Sequence, residues 1–310
     1  MARKYLSRYR PSYSGATRGR RPVRKRPSPR RRSYGKKRYG SKRTSNKRIL
    51  NITSIKKRDT MLAFYQNSST INPQPGGYTL QGTGGGNGGN ATILLWCATA
   101  RDNTVGTGGA LGNRFTPSTR TATTCYMRGL AENVELSTNT GVPWQWRRIC
   151  FTFRDPGSLS TTHSFFNEAG GGYSRLLYNV TSGSTPDTAN LNNLRSLIFR
   201  GELGTDWSNY LTAPVDNTRV TIKMDKTRNI SSGNQNGKLV HQKLWMPMNK
   251  NLVYDDDENG GSETARFLSV GGKAGMGDYY VMDIFIAGIG AVSSDNLLFN
   301  PQATLYWHEK

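Results

Sequence analysis

ATILLWCATA (residues 91–100) is a ten-residue run without a charged side chain, entered from a glycine-rich loop. A continuous apolar run of that length, preceded by glycines, reads as a strand buried on both faces. Working outward, WQWRRICFTF (144–153), LVHQKLWM (239–246) and YYVMDIFIAGIG (279–290) carry the same aromatic and β-branched bias, which packs well on a pleated surface. TRVTIKM (218–224) alternates with a period of two: Val220, Ile222 and Met224 point one way, Arg219, Thr221 and Lys223 the other. TCYMRGLAENVEL (124–136), RFLSV (266–270), ILNITSI (49–55) and QATLYWH (302–308) give weaker strand signals. SRLLYNV (174–180) and LNNLRSLIF (191–199) fit helix or strand. The sum is eight or nine strands separated by loops such as GTGGGNGGN (82–90) and NVTSGSTPDTAN (179–190), with no βαβ rhythm and no internal repeat. That pattern predicts an all-β, antiparallel sandwich.

Charge divides the chain in two. Of 43 basic residues, 23 lie between Met1 and Arg58, a segment without Asp or Glu; residues 59–310 hold 20 basic and 20 acidic groups and are neutral. The first 48 residues have few large aliphatics, many like charges and Pro11, Pro22, Pro27 and Pro29. Such a segment cannot bury enough apolar surface to offset its ordering entropy and is expected to be a disordered arm. Residues 49–310 are long enough for one substantial core.

The densest charge is RGRRPVRKRPSPRRRSYGKKR (18–38), twelve basic side chains and no acidic one. Arg18, Arg20, Arg21, Arg24, Lys25, Arg26, Arg30, Arg31, Arg32, Lys36, Lys37 and Arg38 are the candidate nucleic-acid-binding residues. Guanidinium forks match phosphate bidentately, and Tyr5, Tyr9, Tyr13, Tyr34 and Tyr39 supply faces for unpaired bases. Binding of this kind is sequence-tolerant and falls steeply with salt. The clusters RRPVRKR (20–26) and PRRRSYGKKR (29–38), which include Arg20 to Arg26 and Arg30 to Arg38, also suit a nuclear import receptor. An anionic membrane would attract the same charge, but no amphipathic stripe supports that use.

Other features point away from chemistry. No run of 18 apolar residues exists, and no apolar segment follows the basic N-terminus, so neither a membrane span nor a secretory signal is expected. Cys97, Cys125 and Cys150 lack metal spacing and are expected to be reduced core residues. Gly84–Gly89 formally matches G-x-G-x-x-G, but an apolar strand follows where a dinucleotide site needs a helix. DDDE (255–258) reads as a solvated turn, with a salt bridge or cation site at a subunit contact as the alternative. His163, His241 and His308 are isolated. Asp283, inside an apolar run, is expected to pair with Arg147 or Arg148, and Trp144 and Trp146 to pack in the core rather than stack on bases. No nucleophile elbow, phosphate loop or zinc-protease motif is present, so no catalytic residue, cofactor or metal is expected.

CYMRGLAENVEL (125–136), PWQWRRICFTFRDPG (143–157), LRSLIFRG (194–201), DKTRNISSGNQNGKLVHQKLWMPMNKNLVYDDDENG (225–260) and DYYVMDIFIAGIG (278–290) resemble the capsid protein of genomoviruses, small circular single-stranded DNA viruses of the gemycircularvirus type. The resemblance runs from about Lys47 onward and reaches the geminivirus coat protein more faintly through ICFTFRDP (149–156); the arm matches in composition only. It implies one eight-stranded antiparallel jelly roll; the strand signals in this sequence assign its first strand to 49–65 and its last to 279–291. It further implies a T=1 icosahedral shell of about 60 copies, packaged viral single-stranded DNA and passage through the host nucleus. The alternative from a different class is a non-viral basic-tailed nucleic-acid binder associated with chromatin or ribosomes. A jelly-roll enzyme or sugar-binding module would need an acid pair or histidine constellation that the spacing does not offer.

Overall fold

The computed structural model describes residues 44–66, 72–84, 91–106, 109–155, 159, 165–169, 172–183 and 185–310. The chain divides into Met1–Ser45 and Asn46–Lys310, and the elements described all belong to the second unit. Among the described residues strand far exceeds helix, so the folded unit is mostly β.

Two sheets carry the core. The first is built from β1 (Ile55–Met61), β16 (Asn296–Glu309), β6 (Thr124–Thr138) and β12 (Lys238–Val253), side by side in that order, with β4 (Tyr78–Gln81) also on β16. The second runs β11 (Thr221–Ile230), β7 (Trp144–Phe153), β15 (Asp278–Ala287), β5 (Ala91–Cys97), β10 (Arg175–Asn179), β2 (Ala63–Gln66), β3 (Gln74–Pro75). All pairings are antiparallel except β10 with β2. Two short hairpins, β8 (Glu168–Ala169) with β9 (Gly172–Tyr173) and β13 (Asp257–Asn259) with β14 (Ser262–Thr264), and two helices, α1 (Asn46–Thr53) and α2 (Thr185–Ile198), complete the described elements.

The alternation of side chains explains the layering. In β16, Leu297, Phe299, Pro301, Ala303, Leu305 and Trp307 are buried, while the residues between them reach the surface to differing degrees. In β6, Cys125, Met127, Leu130, Val134 and Leu136 do the same. These inward rows join the second sheet in two clusters: Cys125, Met127, Leu130, Ala303, Leu305 and Trp307 pack with Ile149, Phe151, Tyr280, Val281 and Ile284, and Val134, Leu136, Leu297 and Phe299 pack with Leu94, Trp146 and Phe285. β5, the core of the apolar run ATILLWCATA, is buried along its whole length between β15 and β10.

Several expectations need correction. ILNITSI is not a strand: Asn46–Thr53 form α1, and β1 starts at Ile55. The stretch 49–65 then changes sheets at Leu62, β1 joining the first and β2 the second. The last strand is β16, not 279–291; QATLYWH is its second half. Pro301 weakened that signal, because proline disrupts a ladder. Here it falls where β16 lacks a neighbour on one side, between the residues paired with β4 and those paired with β1. TRVTIKM does not keep its period: β11 begins at Thr221, and its register slips between Ile222 and Met224. Of the ambiguous segments, Arg175–Asn179 is strand and Thr185–Ile198 is helix, with Leu191, Leu194 and Ile198 buried on one side. The glycine stretch 85–90 lies outside the described residues.

All three cysteines are buried and free. Burial pushes each thiol up, Cys150 to about 12, so none is a thiolate near neutrality. A thiol reagent is therefore expected to label none of them in the native protein and all three after unfolding. Rapid native labelling would contradict this packing.

Candidate nucleic-acid interface

The twelve basic residues singled out in the sequence, Arg18 to Arg38, lie outside the described residues. The folded unit nevertheless has its own arrangement of charge, which begins with where its carboxylates go. Asp283 accepts bidentate bonds from Arg148 (2.6 and 3.0 Å), a bond from Arg175 (2.8 Å) and one from the Trp146 indole (2.8 Å). Glu132, on the facing sheet, accepts from Arg175 at 2.7 Å and from Arg148. Two guanidiniums and two carboxylates thus close a neutral ring between the sheets, with every side chain 0% exposed. Burial acts to raise the Asp283 pKa, but Arg148 and then Arg175 outweigh it, and the carboxyl titrates below the ordinary range.

The expected partner of Asp283 is therefore Arg148; Arg147 instead pairs with Asp225 (2.7 Å). Sequence reading missed Glu132 and Arg175. A signal for Glu132 existed, since period two places it in the inward row with Leu130, Val134 and Leu136. Further ion pairs point inward: Lys57 with Glu309 (3.2 Å), Arg101 with Asp59 (3.3 Å) and Arg120 with Asp256. Within DDDE, then, Asp256 is tied down inside the unit, while Asp255, Asp257 and Glu258 are exposed. Trp144 and Trp146 are buried, as expected.

With Asp59, Glu132 and Glu309 turned inward, the outward face of the first sheet keeps its cations. Lys56 and Arg58 of β1 stand opposite His308 and Tyr306 of β16, and Arg128 of β6 reaches Asn249 beside β12's register shift. Burial, then Arg128 and Lys56, lower the His308 pKa, so the ring is neutral at physiological pH. The same face carries aromatics. Trp245 is 51% exposed and meets Tyr306 edge to face at 5.8 Å; Tyr126 lies 6.1 Å from His308. Trp245 and Tyr306 belong to strands on either side of β6, roughly 10 Å apart at the usual strand spacing. They meet because Gly129 lies between them without a side chain. A Cβ there would come within 2.7 Å of the Trp245 ring and 2.6 Å of the Met246 carbonyl oxygen.

Glu135 is the outward carboxylate of these four strands. It sits six residues along β6 from Gly129, about 20 Å away, beside His241 and Asn300. One end of the face is therefore basic and aromatic, and the other polar. No cluster of three or more His, Cys, Asp or Glu side chains suited to a metal occurs among the described residues, and no helix among them is long and apolar enough to cross a membrane. No protein-family model and no curated protein sequence matches the chain.

Proposed function

We propose that this protein is the coat subunit of a small icosahedral virus, a structural protein that encloses single-stranded DNA and holds it through the basic arm. The observation that carries the reading is the coexistence, in one chain, of a particular strand order with a segregated polycation. Number the eight strands of seven residues or more in chain order, from β1 to β16. One sheet then reads 1-8-3-6 and the other 5-4-7-2. Strands next to one another in the chain largely fall in opposite sheets, which is the interleaving expected of two Greek keys rolled into a jelly roll, an architecture that viral coats share with lectins and cupins. Lectins and cupins have no use for 23 basic residues without an acidic one before Asp59.

About 60 such subunits would bring on the order of 1,400 positive charges to packaged phosphate, a balance suited to a genome of one to a few thousand nucleotides. Unpaired DNA also bends into a small cavity more cheaply than a stiff duplex. The clusters at 20–26 and 29–38 would serve nuclear import before assembly. The partners in this reading are viral single-stranded DNA, other copies of the chain and an import receptor; no catalytic step and no cofactor enters it.

The test is negative-stain microscopy with size-exclusion chromatography of the expressed full chain. Closed particles or pentamers carrying nucleic acid are the expected result. A protein that stays monomeric and does not retain single-stranded DNA at low salt would refute the coat reading, and a monomer or dimer that binds DNA tightly would favour a basic-tailed chromosomal or ribosomal role.

A further inference from the structure

We propose that the outward face of the first sheet around Trp245, Tyr306 and Tyr126 stacks unpaired nucleotide bases, with Lys56, Arg58 and Arg128 holding the phosphates between them. This deepens the coat reading, on which it rests for the identity of the polyanion.

Three observations support it. First, an indole half exposed on a sheet surface is costly to leave in water, and here it is held in one orientation. Its ring lies over Gly129, where a Cβ would clash, and its neighbour across the ladder is the small Ala131. A flat ring with an open face is what an unpaired base needs. Second, the three cations are exposed and come from two different strands of the same end of the sheet, while the carboxylates Asp59, Glu132 and Glu309 of these strands face inward. Third, Thr60, Thr304, Asn249 and Asn251 at this end are polar and uncharged, beside the exposed Pro247 opposite Gly129, and such groups suit a surface that must accept any base. An acyl membrane would want a continuous apolar stripe, and a protein partner would need its own acidic complement.

The experiment uses the full-length chain and its variants, because the arm would mask the face at low salt. Binding of a fluorescent oligo-dT is measured by anisotropy at about 0.1 M and about 0.5 M salt, the higher value weakening the arm's phosphate contacts far more than stacking. Trp245→Ala should weaken binding at the higher salt about tenfold, within the range lost when one base is unstacked. Trp245→Phe should bind nearly as the parent does. A duplex of the same length should show no difference between parent and Trp245→Ala, because its bases are already stacked. Ultraviolet crosslinking of the parent to oligo-dT should mark peptides containing Tyr126, Trp245 or Tyr306. An unchanged thermal midpoint in Trp245→Ala keeps the comparison clear of folding.

Equal oligo-dT affinity of Trp245→Ala and parent at the higher salt, with crosslinks confined to the arm, would overturn the inference while particle formation kept the coat reading intact. A Trp245→Ala protein with normal DNA affinity but lost particles would overturn it too, making the face a contact between subunits. Weakened binding by Trp245→Ala in a protein that never assembles would sustain the inference and remove the coat reading.

Discussion

Removing residues 1–40 is expected to lower affinity for single-stranded DNA at least about a thousandfold at low salt and to leave assembled particles nearly free of nucleic acid. The deletion takes away sixteen basic side chains and no acidic one. If the twelve in 18–38 each neutralise a phosphate, log affinity of the full chain falls against log salt with a slope of about −8, at roughly −0.7 per contact for single strands. The shortened chain should show a slope of −3 or shallower, from the few cations left on the sheet face and near α1. Its fold should survive, because the compact unit starts at Asn46 and the core described for it begins at Met61. Encapsidated DNA can be read from the ratio of absorbance at 260 and 280 nm together with salt titrations of oligo-dT binding. Equal packaging by the shortened and full chains would remove the arm from the mechanism.

The second large effect lies in the core. Asp283→Ala should destabilise the unassembled protein by about 3–5 kcal/mol, a drop in thermal midpoint of order 10 °C. The aspartate answers two guanidiniums and an indole N–H, all buried, and its loss leaves Arg148 and Arg175 sharing Glu132 alone. Uncompensated charge in that position is far costlier than the ion pair was beneficial. Asp225→Ala is the control: its pair with Arg147 is partly open to solvent, and Arg147 keeps the Tyr210 and Ala213 carbonyls, so a much smaller loss is expected. The pH dependence gives an independent check. The Asp283 carboxyl is held below its ordinary value of 3.8, so its contribution is fully present above that pH and is lost as pH falls through the depressed native value. The difference between parent and Asp283→Ala should therefore be constant at neutral pH and narrow in acid. A difference below about 1 kcal/mol at neutral pH would mean that the ring does not close as described.

The all-β character was legible because burial imposes it residue by residue. ATILLWC, WQWRRICFTF and YYVMDIFIA became β5, β7 and most of β15, since uninterrupted aromatic and β-branched runs have few other ways to fold. What escaped depended on neighbours far along the chain. Pro301 argued against a strand locally, and the gap beside it was visible only once β1 and β4 were placed. The ring around Asp283 joins positions 132, 148, 175 and 283, and only its Asp283–Arg148 edge could be guessed from an acid stranded among apolar residues. The basic-aromatic face was the least legible. Lys56, Tyr126, Trp245 and Tyr306 are ordinary alone and become a surface through lateral register across four strands. Trp144 and Trp146, singled out in the sequence, are buried, whereas the exposed indole is Trp245.

In its sheet β1 touches β16 alone, with Ile55 beside Glu309. During translation the earlier strand must therefore wait for a partner about 250 residues downstream, roughly ten to fifty seconds at ordinary ribosomal speeds. Throughout that interval a nascent chain exposes a lone, cation-bearing ribbon, so this layer closes only once β16 has been made, and until then the chain presents no finished face there.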